Sequence, residues 1–450
     1  MMGDDPRREP VLGDLAGADQ PGTAASPNAK AAADAGFARN AGAAAGGADA
    51  GTADSSEAGR IEPAAAPLPD LAPLASPETG RLLLLGAGHA HLTVLEKLAR
   101  MGGRRPEVTL ISPTPSVVYS GMLPGFVAGH YSIEQCTIDL GPLLPHSGAQ
   151  FIEGRAVRID GANQRVQIAT ADGLATVPYD VLSIDTGSVM ERDQLEEAIP
   201  GSRLNALFVR PIEAFAELWP QLCQIASERT LRIAVIGAGA GGTELAMAIR
   251  HRLPTSELTL LTGGAEPVAT HPKKVQKRAV RALERIGINL LRKGCATISP
   301  QALLLSDGTL HECDAVILAT GARAPSWLAD TDLALDSRGF VAVDAQLRST
   351  SYPNVFAAGD VATRADQPLP KSGVHAVRQA PSLADNLFAA LSKGGLKRHD
   401  APARTLNLIS CGDQYAIASW GGISFEGRWV WSWKDRIDRK YVARFAGGRQ

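Results

Sequence analysis

Two segments of this chain open in the same way, and their pairing constrains the fold more than any other feature. Arg81-Leu82-Leu83-Leu84-Leu85 runs into Gly86-Ala87-Gly88-His89-Ala90-His91, followed by Leu92, Val94, Leu95 and Leu98. Leu231-Arg232-Ile233-Ala234-Val235-Ile236 runs into Gly237-Ala238-Gly239-Ala240-Gly241-Gly242 and a helical stretch from Thr243 to Arg252. A short apolar run, a glycine turn and then a helical period describe a buried parallel strand feeding a helix. Gly86 and Gly237 permit the tight turn. Gly88 and Gly239 let the backbone approach a pyrophosphate at the helix N-terminus, where free N–H groups and the dipole favour an anion. Gly242 completes the fingerprint in the second copy, whereas His91 replaces the third glycine in the first. Each copy continues to an Asp-Gly hairpin signal, Ala171-Asp172-Gly173 and Ser306-Asp307-Gly308. Each then closes on matching strands, Tyr179-Asp180-Val181-Leu182-Ser183-Ile184-Asp185-Thr186-Gly187 and Cys313-Asp314-Ala315-Val316-Ile317-Leu318-Ala319-Thr320-Gly321. One glycine fingerprint is weak evidence. Two in the same sequential frame predict an α/β fold with two dinucleotide-binding, Rossmann-like domains.

Each copy has a second strand, Val108-Thr109-Leu110-Ile111 and Leu258-Thr259-Leu260-Leu261. They end in Ser112 and Thr262, where an acid would normally hold a ribose hydroxyl. These two can bond a ribose only as neutral partners. Thr262-Gly263-Gly264 also removes the anionic repulsion that rejects an NADP 2′-phosphate. Lys273, Lys274, Lys277 and Arg278 follow on a predicted helix start, either as phosphate contacts or as a solvated basic face. The choice between NAD and NADP stays open.

A third motif, Asn354-Val355-Phe356-Ala357-Ala358-Gly359-Asp360, is a short apolar strand ending in Gly-Asp. With the two glycine loops it resembles the two-dinucleotide flavoproteins of the FAD-dependent pyridine nucleotide-disulfide oxidoreductase superfamily. Within that group the chain is similar to type II NADH:quinone oxidoreductases and sulfide:quinone reductases. It is most similar to the flavin domain fused ahead of selenide, water dikinase in some bacteria. That likeness lies in Gly86 to His91, in Tyr119-Ser120-Gly121-Met122-Leu123-Pro124-Gly125, in Pro370-Lys371-Ser372-Gly373-Val374-His375-Ala376-Val377-Arg378-Gln379, and in Trp433-Lys434-Asp435-Arg436-Ile437-Asp438. It covers about 81–445, with no kinase domain following, so no dikinase activity is expected.

The resemblance implies that residues 79–205 and 336–398 form an FAD domain interrupted by an NAD(P) domain at 206–335, with a small C-terminal element at 399–450. The strand ending in Asp360 would return to the first domain and hold the flavin ribityl chain. The flavin site would comprise Gly86, Gly88, His91, Ser112, Tyr119, Gly121, Thr186, Gly187, Gly359, Asp360, Gly373 and Val374. NAD(P)H, as co-substrate, would use Gly237, Gly239, Gly242, Thr320 and Gly321. Ser372 is a good N-cap for a helix reaching about Leu391, which Pro381 should kink or split. The positive end of that helix would stabilise charge on reduced flavin. Lys371, Gln379 and Glu244 are the candidate catalytic residues. Gln379 matches a glutamine at the acceptor end of the flavin. An acid at the place of Glu244 lies near the nicotinamide, although the helix dipole favours a first-turn carboxylate whatever its role. Hydride would pass from NAD(P)H to flavin and electrons on to a quinone-like acceptor. Two rivals remain: a sulfide- or selenide-handling flavoprotein using Cys136 and Cys411, and a flavin-bound sensor or partner module whose second site holds no nicotinamide.

Composition narrows location and partners. The formal net charge of −2 gives no basic field for nucleic acid. The five cysteines, 136, 223, 295, 313 and 411, show no CxxC and no metal-type spacing, so no metal site is expected. Residues 1–78 are rich in Ala, Gly and Pro, and too poor in large apolar groups to bury a core, which predicts a disordered tail. That tail has no apolar segment of the signal-peptide kind, so a cytoplasmic location is expected. Four of the six tryptophans, Trp420, Trp429, Trp431 and Trp433, lie in the last fifty residues. There Val430, Trp433, Ile437, Tyr441 and Phe445 share one helical face, with Lys434, Arg436, Arg439, Lys440 and Arg444 around it. Residues 429–445 are therefore either a peripheral anchor on the inner face of the cytoplasmic membrane or a helix packed on protein. Oligomeric state has no signal in the sequence.

Overall fold

The computed structural model describes residues 79–103, 105–402 and 404–446. The expectation of a disordered tail at 1–78 lies outside the described residues. The elements that position the site are, in chain order, β1 (Arg81–Leu85), α1 (His89–Ala99), β2 (Glu107–Ser112), β3 (Ala149–Glu153) and β4 (Val181–Ile184). There follow β5 (Leu207–Phe208), β6 (Arg232–Ile236), α2 (Ala240–Arg252), β7 (Glu257–Leu261), α3 (Lys273–Arg285), β8 (Asn289–Leu291) and β9 (Ala315–Leu318). The last are β10 (Val355–Ala357), α4 (Gly373–Leu391), β11 (Leu406–Ser410), β12 (Ala416–Trp420), β13 (Ile423–Gly427) and α5 (Arg428–Phe445).

Two five-stranded parallel sheets carry the α/β fold. The first has the order β10-β4-β1-β2-β3, the second β5-β9-β6-β7-β8. Leu82 to Leu85 and Ile233 to Ile236 are buried, as strands covered on both faces must be. β10 pairs with β4, Val355 against Leu182, although the whole second sheet lies between them in sequence. That pairing carries the Gly359–Asp360 turn to the first glycine loop.

The likeness of the two copies extends to their ion pairs. Arg81 opens β1, and its guanidinium reaches Asp180 just before β4 at 3.1 Å. Arg232 opens β6 and reaches Asp314 just before β9 at 3.0 Å. In both, the carboxylate also accepts from the backbone N–H of the arginine, at 2.6 and 2.8 Å. Strand ends far apart in sequence are pinned in the same register twice.

The structure differs from the sequence expectation at one proline and defines one segment that the sequence left open. Pro381 does not split α4, which runs unbroken from Gly373 to Leu391. Packing of Ala380, Leu383, Ala384 and Leu387 into the first core outweighs the one intrahelical bond a proline forfeits. The segment Tyr119 to Gly125, one of those that carry the family likeness, holds a short 3-10 turn, Ser120–Met122, continuing into the helix Leu123–Val127 with Pro124 in its first turn.

The C-terminal element leans on both halves. β11, β12 and β13 form an antiparallel sheet beside α2 and α3: Arg278 and Arg281 pair with Glu426, and Arg285 with Asp413 at 3.4 Å. α5 lies on the first half, with Val442 and Phe445 in the same core as Leu92 and Leu98, and Arg444 paired with Glu96. This divides the anticipated apolar face of α5. Val430 and Phe445 are buried, Tyr441 is half-buried, and Trp433 and Ile437 stay 38% and 40% exposed. No helix among the described residues is long and apolar enough to cross a membrane.

Candidate active site

The first glycine loop is built around a residue the two-copy comparison had aligned but not explained. Asp185 follows β4, where the second copy has Ala319. Its carboxylate is buried and accepts from the backbone N–H of Ala90 at 2.7 Å and of His91 at 3.1 Å. It therefore caps the N-terminus of α1 from below the loop. A Cβ on Gly88 would collide with this carboxylate, and one on Gly86 would come within 2.7 Å of the Thr186 Cα. Burial pushes Asp185 up to about 7, against the pull of the two N–H groups.

His91 fills the place of the third glycine for a reason visible in the second copy. There a Cβ on Gly242 would strike the carbonyl oxygen of Gly237. In the first copy the corresponding carbonyl, Gly86 O, instead meets the His91 ring, Nδ1 lying 2.6 Å away. The other ring nitrogen meets Ser183 Oγ at 2.8 Å, a hydroxyl inside a strand where the second copy has Ile317. Burial lowers His91 to about 4, so the ring is neutral at pH 7 and one of its nitrogens accepts. His91, Ser183 and Asp185 thus replace Gly242, Ile317 and Ala319 as a linked set. Their signal was present in the sequence: a serine inside a buried apolar strand and an aspartate directly after it.

Other predicted flavin residues converge here. A Cβ on Gly359 (φ +71°) would lie 2.7 Å from Asp185 Oδ1. Gly359 N donates to Gln379 Oε1 at 2.8 Å, so buried Gln379 holds the Gly-Asp turn against α4. Asp360 accepts from Ser188 Oγ at 3.3 Å and lies 3.7 Å from the Arg210 guanidinium. A Cβ on Gly373 would lie 3.5 Å from Ser120 Oγ and 3.9 Å from His89 Cε1, so the N-terminus of α4 abuts the first glycine loop. Ser372 caps that terminus, accepting from Val374 N at 3.3 Å. Ser112 is buried at the end of β2, beside Glu153 of β3. Gly187, with φ +72°, has open space around its missing Cβ. Lys371 is turned toward Ala362 O and Thr363 Oγ1 (2.9 Å), its ammonium 3.8 Å from the Phe340 ring centre. Burial lowers it to about 8.

Do these residues fit a flavin dinucleotide? Two buried polar atoms at the loop have no partner: Thr186 Oγ1 and His89 Nε2. Buried polar groups are rarely left unpaired, and Thr186 is followed by Gly187, whose Cβ position is open. His89 is lowered to about 4 by burial, with Asp360 opposing and Arg210 assisting. The residues fit. In the second copy Gly237 (φ +114°) packs on Ala319 O, Gly239 and Gly321 face open space, and Thr320 follows β9. Buried Thr262 Oγ1 is without a partner there too.

Glu244 and the loop at Tyr119 meet on the C-terminal element. Glu244 Oε1 accepts from Ser410 N at 2.8 Å. Its carboxylate is deeply set, and burial pushes it up to about 7 despite nearby Lys434. Lys434 donates to Gly121 O at 2.6 Å and pairs with Asp438 at 2.5 Å. Tyr119 OH donates to Asp438 Oδ1 at 3.4 Å, and the Tyr119 ring meets His89 edge-on at 5.3 Å and Tyr441 in a tilted contact at 4.7 Å, the three rings forming one cluster. Ser183, Asp185, Ser188, His89, Arg210, Lys434 and Asp438 are among the residues that sequence reasoning did not place in the site. The last two belong to it through contacts that span more than 300 residues.

A family model decides what this arrangement is. The model described as pyridine nucleotide-disulphide oxidoreductase matches residues 80–380, about two thirds of the chain. The chain belongs to that family. It is an oxidoreductase using FAD and NAD(P)H. Among curated relatives, it is 25% identical to the type II NADH:quinone oxidoreductase Ndh of Mycobacterium tuberculosis, over 79% of this chain and 82% of that one. It is 23% identical to an internal alternative NAD(P)H-ubiquinone oxidoreductase A1 of Arabidopsis thaliana, over 80% of this chain and 76% of that one. Among solved structures, the sulfide:quinone oxidoreductase of Aquifex aeolicus shares the fold at TM-score 0.68 and 18% identity, covering 81% of this chain and 91% of that one. NDH2 of Plasmodium falciparum, in complex with NADH, does so at TM-score 0.68 and 13% identity, covering 82% and 97%.

Proposed function

We propose that this oxidoreductase passes electrons from NAD(P)H through FAD to a quinone at a membrane surface. One observation carries the reading: two glycine loops recur in one chain, each near a buried polar side chain that has no protein partner, while Cys136 and Cys411 are buried and unpaired. When bound, FAD supplies an acceptor for hydride that can release electrons singly or in pairs. The chain does the positioning. Asp360, set by Ser188 and Arg210, holds the ribityl hydroxyls; the glycine loop with Asp185 beneath it holds the pyrophosphate. The α4 N-terminus presents positive dipole to the ring end. Glu244, raised to about 7, is poised to hold or release a proton at its free Oε2 near neutral pH.

Thiol chemistry is disfavoured in this reading. Cys136 and Cys411 are buried in separate cores, and burial raises both thiols, Cys136 to about 12. A thiolate is what would attack sulfur or selenium. The acceptor and location follow from the relatives' quinone-reducing names and from an exposed patch on the C-terminal element. Trp420, Ile423, Trp429, Trp433 and Ile437 are all exposed there, with Arg428, Arg436 and Lys440 beside them. Anaerobic addition of NADH or NADPH should bleach the flavin absorbance, and a short-chain ubiquinone should restore it. Bleaching without recovery would remove the quinone assignment; no bleaching by either nucleotide would remove the dehydrogenase assignment.

A further inference from the structure

The first glycine loop must hold a diphosphate, yet the chain already places an acid at the same helix end. Asp185 Oδ2 accepts from Ala90 N at 2.7 Å and from His91 N at 3.1 Å, two of the free donors in the first turn of α1. Those donors and the positive end of the helix are what a bound diphosphate also seeks. The carboxyl lies close to both glycine turns that form the site. A Cβ on Gly88 would strike it from one side, and a Cβ on Gly359 would lie 2.7 Å from Oδ1 on the other. The second copy has no such competitor. Ala319 stands in the place of Asp185, and Gly241, the match of Ala90, faces open space.

The surroundings of Asp185 give its charge nothing to pair with. No ion pair among the described residues includes it. From the Gly-Asp turn, Asp360 faces it with like charge, and the Arg210 guanidinium sits 3.7 Å from Asp360 instead. From α1, His89 and His91 are both lowered to about 4 by burial, so neither ring is a cation at neutral pH. From α5, burial and then Asp185 itself push the Tyr441 phenol up, so it too is neutral. Burial has already lifted Asp185 to about 7. A diphosphate brings further negative charge into this enclosure. Like charges in one desolvated site raise the proton affinity of the weaker acid, and the carboxyl is far weaker than the diphosphate.

We propose that Asp185 takes up one proton as FAD binds, so that a neutral carboxyl, still capping α1 through Oδ2, lies beside the diphosphate. The inference needs only the FAD site and goes beyond the electron-transfer reading. Oδ1, on the Gly359 side, is the oxygen left to carry the proton, and as a hydroxyl it becomes a donor. Asp185 is thus a positioning residue that ties flavin affinity to pH. Affinity is greatest below the titration of Asp185 in the FAD-free chain. It falls as pH rises beyond that point, by up to about tenfold per unit for one proton.

The test is calorimetric titration of FAD into the full-length chain stripped of flavin, in two buffers of different protonation enthalpy, which counts the protons taken up. At about pH 8 the parent should take up about half a proton or more, and its dissociation constant should rise at least about tenfold from about pH 6 to about pH 8.5. Asp185→Asn keeps an acceptor for Ala90 N and His91 N without the charge. It should show almost no uptake, an affinity flat across that range, and tighter binding than the parent at the alkaline end. No uptake by the parent, or undiminished uptake by a folded Asp185→Asn variant, would overturn the proposal. So would a folded variant that loses flavin equally at every pH, because the site would then be using the charge itself. If the substitution unfolds the chain, infrared difference spectra of the FAD-loaded against the FAD-free parent decide. A gain of one protonated carboxyl band supports the proposal, and its absence overturns it. Either result leaves bleaching of the flavin by NAD(P)H untouched, so the dehydrogenase reading is tested separately.

Discussion

Asp360 shows how one side chain is fixed before it meets a ligand. Ser188 and Arg210, 22 residues apart and far from Asp360 in the chain, set its carboxylate at the end of the Gly-Asp turn. Asp360→Ala should therefore cost about 2 kcal/mol of flavin affinity, the scale of a charged hydrogen bond. Flavin retained on gel filtration measures it, and unchanged retention would detach Asp360 from the ribityl role. Glu244 makes a different prediction, about pH. An unburied glutamate titrates near 4.5, whereas this one titrates at about 7, so between those values the folded state holds more proton than the unfolded chain. Stability should thus fall as pH rises from about 4.5 to 7 and level off above. Asp185, lifted from 3.8 to about 7, contributes with the same sign. Glu244→Gln should flatten part of that decline, read as melting temperature at pH 5 and pH 7.5; an unaltered slope would mean the carboxyl is not the titrating group.

At the scale of elements, α5 makes two separable predictions, because its apolar residues face two ways. Phe445 is 2% exposed within the first core, so Phe445→Ala should cost about 3–5 kcal/mol and lower the melting temperature. Trp433 and Ile437 are exposed. Trp433→Glu with Ile437→Glu should leave melting nearly unchanged and abolish co-sedimentation with anionic vesicles, where the parent binds and is released by salt. Failure of the parent to sediment would end the membrane assignment. The same helix marks the limit of what sequence could disclose. The period of Val430, Trp433, Ile437, Tyr441 and Phe445 announces a helix, but which of them face protein depends on α1, some 340 residues earlier. Strands β1 and β6, the glycine turns and the Gly359–Asp360 return were legible because local pattern and spacing determine them. Gln379 was legible as a site residue and not as the group that grips Gly359 N. Lys434 and Asp438 were not legible as site residues, since only tertiary packing brings them to Tyr119 and Gly121.

Across the whole molecule, the cysteines distinguish two kinds of redox protein. Cys136 lies in the core of the first half and Cys411 in that of the second, both fully buried. Replacing both by serine should leave NAD(P)H-driven flavin reduction within a few-fold of the parent. It should also cost roughly 1–3 kcal/mol at each site, from burying a hydroxyl where a thiol had packed. A loss of flavin reduction near a hundredfold in a folded variant would return thiol chemistry to the mechanism. The C-terminal element has a mechanical consequence as well. Its sheet is fastened to the second half through Glu426, Asp413 and Ser410, and its helix to the first half through Glu96, Asp435 and Phe445. The chain also crosses between the halves twice on its own account. Three tethers oppose any swing of one half against the other, so the arrangement is that of a braced frame rather than a jaw.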